Sequence, residues 1–165
     1  MTERRTNHLT RKFVAEMSQK AKKAKRRAGS ASDQTGLPNR RAFDEGKGSR
    51  FVAMSDVHSL KATNHRFGLV AGDALIRRLA EVLTSVGLDP HHDLGARFLC
   101  KGESRQELNL KLSQAQQILR QESSPVREDG RITAIQGLEF CFGIGTTLDE
   151  AEHCLHHQNE LRTPK

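Results

Sequence analysis

Apolar residues recur every three or four positions in some stretches of this chain and run together in others, so helices and buried strands alternate along it. Leu75, Ile76, Leu79 and Leu83 share one side of a helix predicted from about Val70 to Val86. Leu108, Leu112, Ala115 and Leu119 do the same over residues 104 to 121. A short helix over Leu60 to Arg66 and a last one from Leu148 to about Leu161, with Ala151 and Leu155 inward, complete this set. The continuous apolar runs predict strands at Arg50 to Asp56, Ala96 to Cys100, Arg131 to Ile135 and Leu138 to Ile144. Turn chemistry separates them. Gly36 and Pro38 punctuate the chain before Asn39, which can cap a helix starting at Arg40. Gly87-Leu88-Asp89-Pro90 stops the long helix, and Lys101-Gly102-Glu103 and Glu128-Asp129-Gly130 are turn sequences. The pattern predicts one α/β domain.

A different pattern precedes it. Residues 3 to 28 read as a helix with a thin apolar side, Leu9, Phe13 and Met17 with Val14 beside them, and Ala28-Gly29-Ser30-Ala31-Ser32 breaks it. The predicted division is therefore a basic helical tail over residues 1–32 and an α/β domain over residues 33–165. The formal charge of +7 belongs to the tail, since residues 1 to 30 hold ten Lys/Arg against Glu3 and Glu16. Three readings of the tail follow: a solvated helix, a nucleic-acid backbone contact through Lys20, Lys22, Lys23, Lys25, Arg26 and Arg27, and a homodimer helix using Leu9, Phe13 and Met17. The chain has no Tyr or Trp, so a base-stacking platform is not indicated. An odd set of cysteines, Cys100, Cys141 and Cys154, without a Cys-x-x-Cys pair points to reduced thiols and a cytoplasmic protein. No apolar run approaches the roughly 18 residues of a membrane span, so no membrane partner is expected.

Chemistry concentrates between Asp56 and Asp73. This stretch holds polar and glycine positions that amphipathicity alone does not require, and Asp56 ends a predicted buried strand, where ligand sites of α/β domains tend to lie. Asp56, Lys61, Asn64, Gly68, Gly72 and Asp73, with Thr35-Gly36-Leu37-Pro38-Asn39-Arg40-Arg41 before them and Gly143-Ile144 after, form a pattern that over about residues 33 to 162 resembles the GGDEF domain, the catalytic module of diguanylate cyclases. Thr35-Gly36-Leu37-Pro38-Asn39-Arg40-Arg41 is similar to that family's L-T-G-L-x-N-R-R turn. Asp56, Lys61, Asn64, Gly68, Gly72 and Asp73 agree, without a gap, with D-x-D-x-F-K-x-x-N-D-x-x-G-H-x-x-G-D, whereas His58, Leu60, His65 and Leu69 depart from it. Gly143-Ile144 matches the end of the family's V-T-x-S-x-G-I strand.

The resemblance implies a mostly antiparallel central sheet flanked by helices, as in nucleotidyl-cyclase and palm domains, here with a basic N-terminal helix. The signature itself is altered. The preferred alignment follows the lead-in Asp93-Leu94-Gly95-Ala96-Arg97-Phe98 and sets Leu99, Cys100, Lys101, Gly102 and Glu103 over G-G-D-E-F. A second alignment sets Leu94-Gly95-Ala96-Arg97-Phe98 there and leaves more chain for a returning strand. In the family, the resemblance implies, an Asp at the place of Asp56 and a signature carboxylate hold two divalent ions against a nucleoside triphosphate. Asp56 is retained as a metal ligand, but its partner becomes Lys101 or Ala96. An ammonium about 4 Å from a cation costs on the order of 4 kcal/mol per unit charge at an effective dielectric of about 20.

The expectation is a non-catalytic domain with no cofactor, acting as a binding or regulatory module. A working cyclase joining two GTP molecules, with Mg²⁺ and Glu103 as substitute ligand, is the enzyme alternative. Nucleic-acid binding through residues 1–30 is the other. Asn64 and Asp73 correspond to family positions that read guanine, with Lys61 nearby, so a guanine nucleotide is the expected ligand. The family's phosphate-binding Lys falls at Asn159 and its following Arg at Thr163, and the R-x-x-D feedback motif falls at Pro90 to Asp93, keeping only the Asp. Lys101 has two further readings, an ion pair with Asp56 or a direct phosphate contact. His153 with His157 and His91 with His92 read as surface residues. Cys100 and Cys141 read as small core residues, and Cys154 borders the inward face of the last helix.

Overall fold

Strand β1, Phe51–Val57, organises the molecule because it is paired on both sides. It runs antiparallel to β3, Phe98–Gly102, and to β6, Phe140–Gly145, while β2, His91–His92, adds to the outer side of β3. The resulting order is β2-β3-β1-β6, all antiparallel. A separate hairpin joins β4, Ser123–Glu128, to β5, Arg131–Gln136. The computed structural model describes residue 29 and residues 31–32, 34–58, 60–128 and 131–162, with the backbone alone at 124–136 and 162. The basic helix expected over residues 3–28, and Asp129-Gly130 of the expected turn, lie outside the described residues. A compact unit covers Ser32–Lys165.

Side chains of β1 alternate between the two faces of the sheet. Ala53 and Val57 join one cluster with Phe98, Cys100, Phe140, Phe142 and Ile144 from neighbouring strands. Helices α3, Leu69–Ser85, and α4, Arg105–Gln121, close that face with Leu75, Leu79, Leu83, Leu108, Leu112 and Leu119, the residues whose spacing predicts it. Val52 and Met54 face the other way, onto Leu99, Cys141, Phe43 of helix α1, Arg40–Glu45, and Ala151 and Leu155 of helix α5, Leu148–Arg162. Helix α2, Leu60–Phe67, leads directly into α3 through Gly68, whose φ of 85° suits glycine. Local signals agree with these elements: Asn39 Oδ1 accepts from Ala42 N at 3.2 Å, and Ser104 Oγ accepts from Glu107 N at 3.3 Å.

The hairpin region departs from the expectation. The strand predicted at Ala96 to Cys100 is shifted to Phe98–Gly102, so Lys101 and Gly102 pair with Val52 and Phe51 instead of turning the chain. The turn lies earlier, over residues 93–97, closed by Asp93 N to Arg97 O and Arg97 N to Leu94 O, each at 3.0 Å, with Gly95 at φ 60°. Strands β2 and β4 were not predicted: two histidines carry no periodicity, and Pro125 argues against a strand on sequence alone.

Candidate functional site

Asp56 lies next to last on β1, half-buried, on the sheet face covered by α5. The β1–β3 register pairs Ser55 with Phe98, and one step further sets Arg97 opposite Asp56. Burial raises the Asp56 carboxyl above its ordinary value, and the nearby Arg97 guanidinium partly offsets this, helped by a hydrogen bond from the Val57 backbone and by His58 and His156. Arg97 also reaches Glu152 of α5 at 3.2 Å and Asp93 at 4.0 Å, and Asp93 in turn lies 3.7 Å from Arg40. The end of β1 is thus a network in which a fixed guanidinium, not a bare cluster of carboxylates, faces the aspartate.

Divalent cations do not suit this donor set. The hairpin turn offers Ala96, which has no side-chain ligand atom, and Arg97, which carries the charge a metal would bring. Among the described residues, no group of three His, Cys, Asp or Glu side chains could hold a metal ion.

The five residues of the preferred alignment, Leu99 to Glu103, do not form the turn of the hairpin. Leu99 and Cys100 are buried in β3, Lys101 and Gly102 continue it, and Glu103 follows the strand. The second alignment, Leu94 to Phe98, coincides with the turn and with a returning strand after it. Lys101 therefore stands at the far end of β1 from Asp56, because it pairs with Val52, four residues away along the strand. The expected Asp56–Lys101 ion pair is therefore not formed. The ammonium is instead engaged by backbone carbonyls, Phe43 O at 2.5 Å and Lys47 O at 2.9 Å, and lies 4.4 Å from the Phe43 ring.

Asn64 lies on α2 and Asp73 on α3, where it directly follows Gly72. Gly72 packs against Asn64 so closely that a Cβ added there would fall 1.8 Å from Asn64 Oδ1. That oxygen is buried and has no hydrogen-bond partner among the described residues. Asp73 accepts from Gln34 Nε2 at 2.5 Å, so the opening turn already occupies one of its oxygens. Lys61 is exposed on α2. Asn159 is half-buried on α5, and Thr163 lies outside the described residues.

His92 corrects the surface reading of the histidine pair. It is 5 % exposed, stacks on Phe98 at 5.0 Å, and links Ser32 Oγ, 2.5 Å from Nδ1, to Gly95 O, 2.8 Å from Nε2. One imidazole thus ties the start of the domain to the hairpin turn. The sequence carries no signal for this role of His92, and it offers Arg97 both in the lead-in and, in the second alignment, within the signature. The signal available for Arg97 was the second alignment. His153 and His157 are exposed, Cys100 and Cys141 are buried, and Cys154 is exposed.

No protein-family model and no curated protein sequence matches the chain. Solved structures do. The chain is similar to the diguanylate cyclase SiaD of Pseudomonas aeruginosa, solved with its activator SiaC, at 21% identity over 96% of this chain and 70% of that one, with a TM-score of 0.67. It is also similar to the coiled coil and GGDEF domain of DgcB from Caulobacter crescentus, solved with c-di-GMP, at 20% identity over 95% and 90%, TM-score 0.64. The GGDEF domain of FimX from Pseudomonas aeruginosa matches at 17% identity over 80% and 94%, TM-score 0.64. The chain has the fold of GGDEF domains. No described helix is long and apolar enough to cross a membrane.

Proposed function

We propose that this chain is a GGDEF-fold module that has lost nucleotidyl transfer and works by binding, with a guanine nucleotide as its small-molecule ligand. The observation that carries the first half is Arg97 opposite Asp56, with Ala96 beside it in the turn. Metal-assisted transfer needs paired carboxylates to gather cations, and here a guanidinium fills that place. The second half is supported by Asn64, whose buried, unpartnered carbonyl oxygen lies against Gly72, and by Asp73, the next residue on α3, a carbonyl and a carboxylate of the kind that recognise a guanine edge. Gln34 competes for Asp73 and must give way when a base arrives. Relatives of this fold solved with a protein activator or with c-di-GMP support a regulatory role over a metabolic one.

Thermal shift with GTP, ATP and no nucleotide, each with and without magnesium, tests both halves. GTP alone should raise Tm, ATP should not, and magnesium should add nothing. Gly72→Ala, which displaces the Asn64 side chain, should abolish the GTP response. Chromatographic detection of a cyclic dinucleotide after incubation with GTP and magnesium would overturn the loss of transfer, and equal shifts by GTP and ATP would overturn the guanine assignment.

A further inference from the structure

Among the described residues β6 is an edge strand, since the sheet order ends on it. Its pairing with β1 fixes which backbone groups point outward. His58 N donates to Glu139 O, which makes 58 and 139 a hydrogen-bonded pair. Stepping by two along the register, Asp56 with Cys141 and Met54 with Gly143 are likewise hydrogen-bonded pairs. Phe140, Phe142 and Ile144 fall between these pairs, so their N–H and C=O groups face away from β1, toward the open edge. Gln116 Nε2 confirms that direction by donating to Phe140 O at 2.8 Å. Phe142 and Ile144 receive no such cap among the described residues.

A recess of about 350 Å³ lies along this stretch. Phe142, Gly143 and Ile144 form its floor, Arg105 and Asn109 of α4 rise on one side, and Cys154 and Gln158 of α5 on the other. The geometry points to a strand-addition site: an extended segment of a partner protein pairs with the outer edge of β6 and seats a carboxylate on Arg105. Unpaired edge amides are a template for another strand. The recess selects a single strand over a second copy of this chain, because another β6 would arrive walled by its own α4 and α5. Charge favours a carboxylate, since the lining carries Arg105, which also lies over the Phe51 ring and acts on the exposed Glu150, and no acidic side chain. This surface is separate from Asn64 and Asp73, so nucleotide binding neither supports nor sinks it.

The test uses the whole chain and three acetylated hexapeptides. One is Thr-Val-Thr-Val-Thr-Glu with a free C-terminus, one an amidated form ending in Gln, and one the acidic form N-methylated at alternate residues. Amide hydrogen exchange is followed by NMR. In the free chain the Phe142 and Ile144 amides should exchange at least about tenfold faster than those of Cys141 and Gly143. The acidic peptide should slow those two amides, and the N-methylated form should not. Arg105→Gln should weaken the acidic peptide about tenfold and leave the neutral one unchanged. Equal protection of all four amides in the free dilute chain, protection that appears only as chain concentration rises, or no effect of millimolar peptide would each overturn the proposal. Equal binding of the N-methylated peptide would do so as well, and unchanged acidic-peptide affinity in Arg105→Gln would remove the carboxylate.

Discussion

Arg97 stands opposite Asp56 where β1 and β3 separate, and it is shared with Glu152 of α5 and Asp93 of the hairpin turn. The aspartate is nonetheless a net burden on the fold at neutral pH, because burial outweighs the attraction of Arg97 and leaves its pKa raised above the ordinary 3.8. For a carboxyl raised on folding, the stability is fully present below pH 3.8, where both states are protonated, and is lost as pH rises through the folded value. Asp56→Asn removes the ionisation and keeps the shape. It should melt above wild type at pH 7, with the gap closing as pH falls toward 3.8. A wild type that is the more stable at pH 7 would show that Arg97 outweighs burial.

Lys101 is predicted to matter for the fold and not for a ligand. Its ammonium holds the carbonyls that end α1 and covers Phe43. Charge-assisted hydrogen bonds of this kind contribute about 1.5–3 kcal/mol. Lys101→Met keeps the stem and removes the charge. It should lower unfolding free energy in urea by about 1–2 kcal/mol and leave any GTP thermal shift unchanged. A lost GTP response with unaltered stability would return Lys101 to the ligand site.

Helix α5 rests on β6 through glycine. A Cβ at Gly143 would lie 2.0 Å from Ala151 O and 2.5 Å from Leu155 N, both backbone atoms of α5 that cannot swing aside. Gly143→Ala should therefore push α5 off the sheet and cost about 3 kcal/mol or more, at the upper end for overpacking. Denaturant titration measures this. A loss under about 1 kcal/mol would mean that α5 can shift without penalty.

The framework was legible because its signals are local. Leu75, Leu79 and Leu83 announce a helix face, Asn39 and Ser104 announce helix starts, and the alternation of Ala53 and Met54 is absorbed into a sheet buried on both faces. That Asn64 and Asp73 fall on two successive helices was legible in the apolar spacing around them. The hairpin was misplaced because two cues conflicted. Asp93-Leu94-Gly95-Ala96-Arg97-Phe98 matches a lead-in by residue identity, while the positive φ of Gly95 and the apolar run after it demand that the turn come first. Pairing with β1 decided between them: Phe98, Leu99 and Cys100 are all buried, and a turn at Leu99 would expose them. His92 was unreadable for a related reason, since its partners, Ser32 and Gly95, meet only once the sheet forms.

Thiol chemistry gives a separate check on this core. Burial, reinforced by Asp89, pushes the Cys100 thiol up to about 12, so almost none of it is thiolate at pH 8. Cys141 is fully buried against α5, with its sulfur 3.2 Å from His58 Nε2. Cys154 alone is exposed among the three. A disulfide reagent such as dithionitrobenzoate should therefore modify one thiol per native chain, and that reaction should vanish in Cys154→Ser. The other two should react only in denaturant, with a rate that tracks unfolding. Two fast thiols in the native chain would place a local opening at β3 or β6, and the mutant identifies which: rapid modification persisting in Cys154→Ser but lost on adding Cys141→Ala would locate it at the contact between β6 and α5.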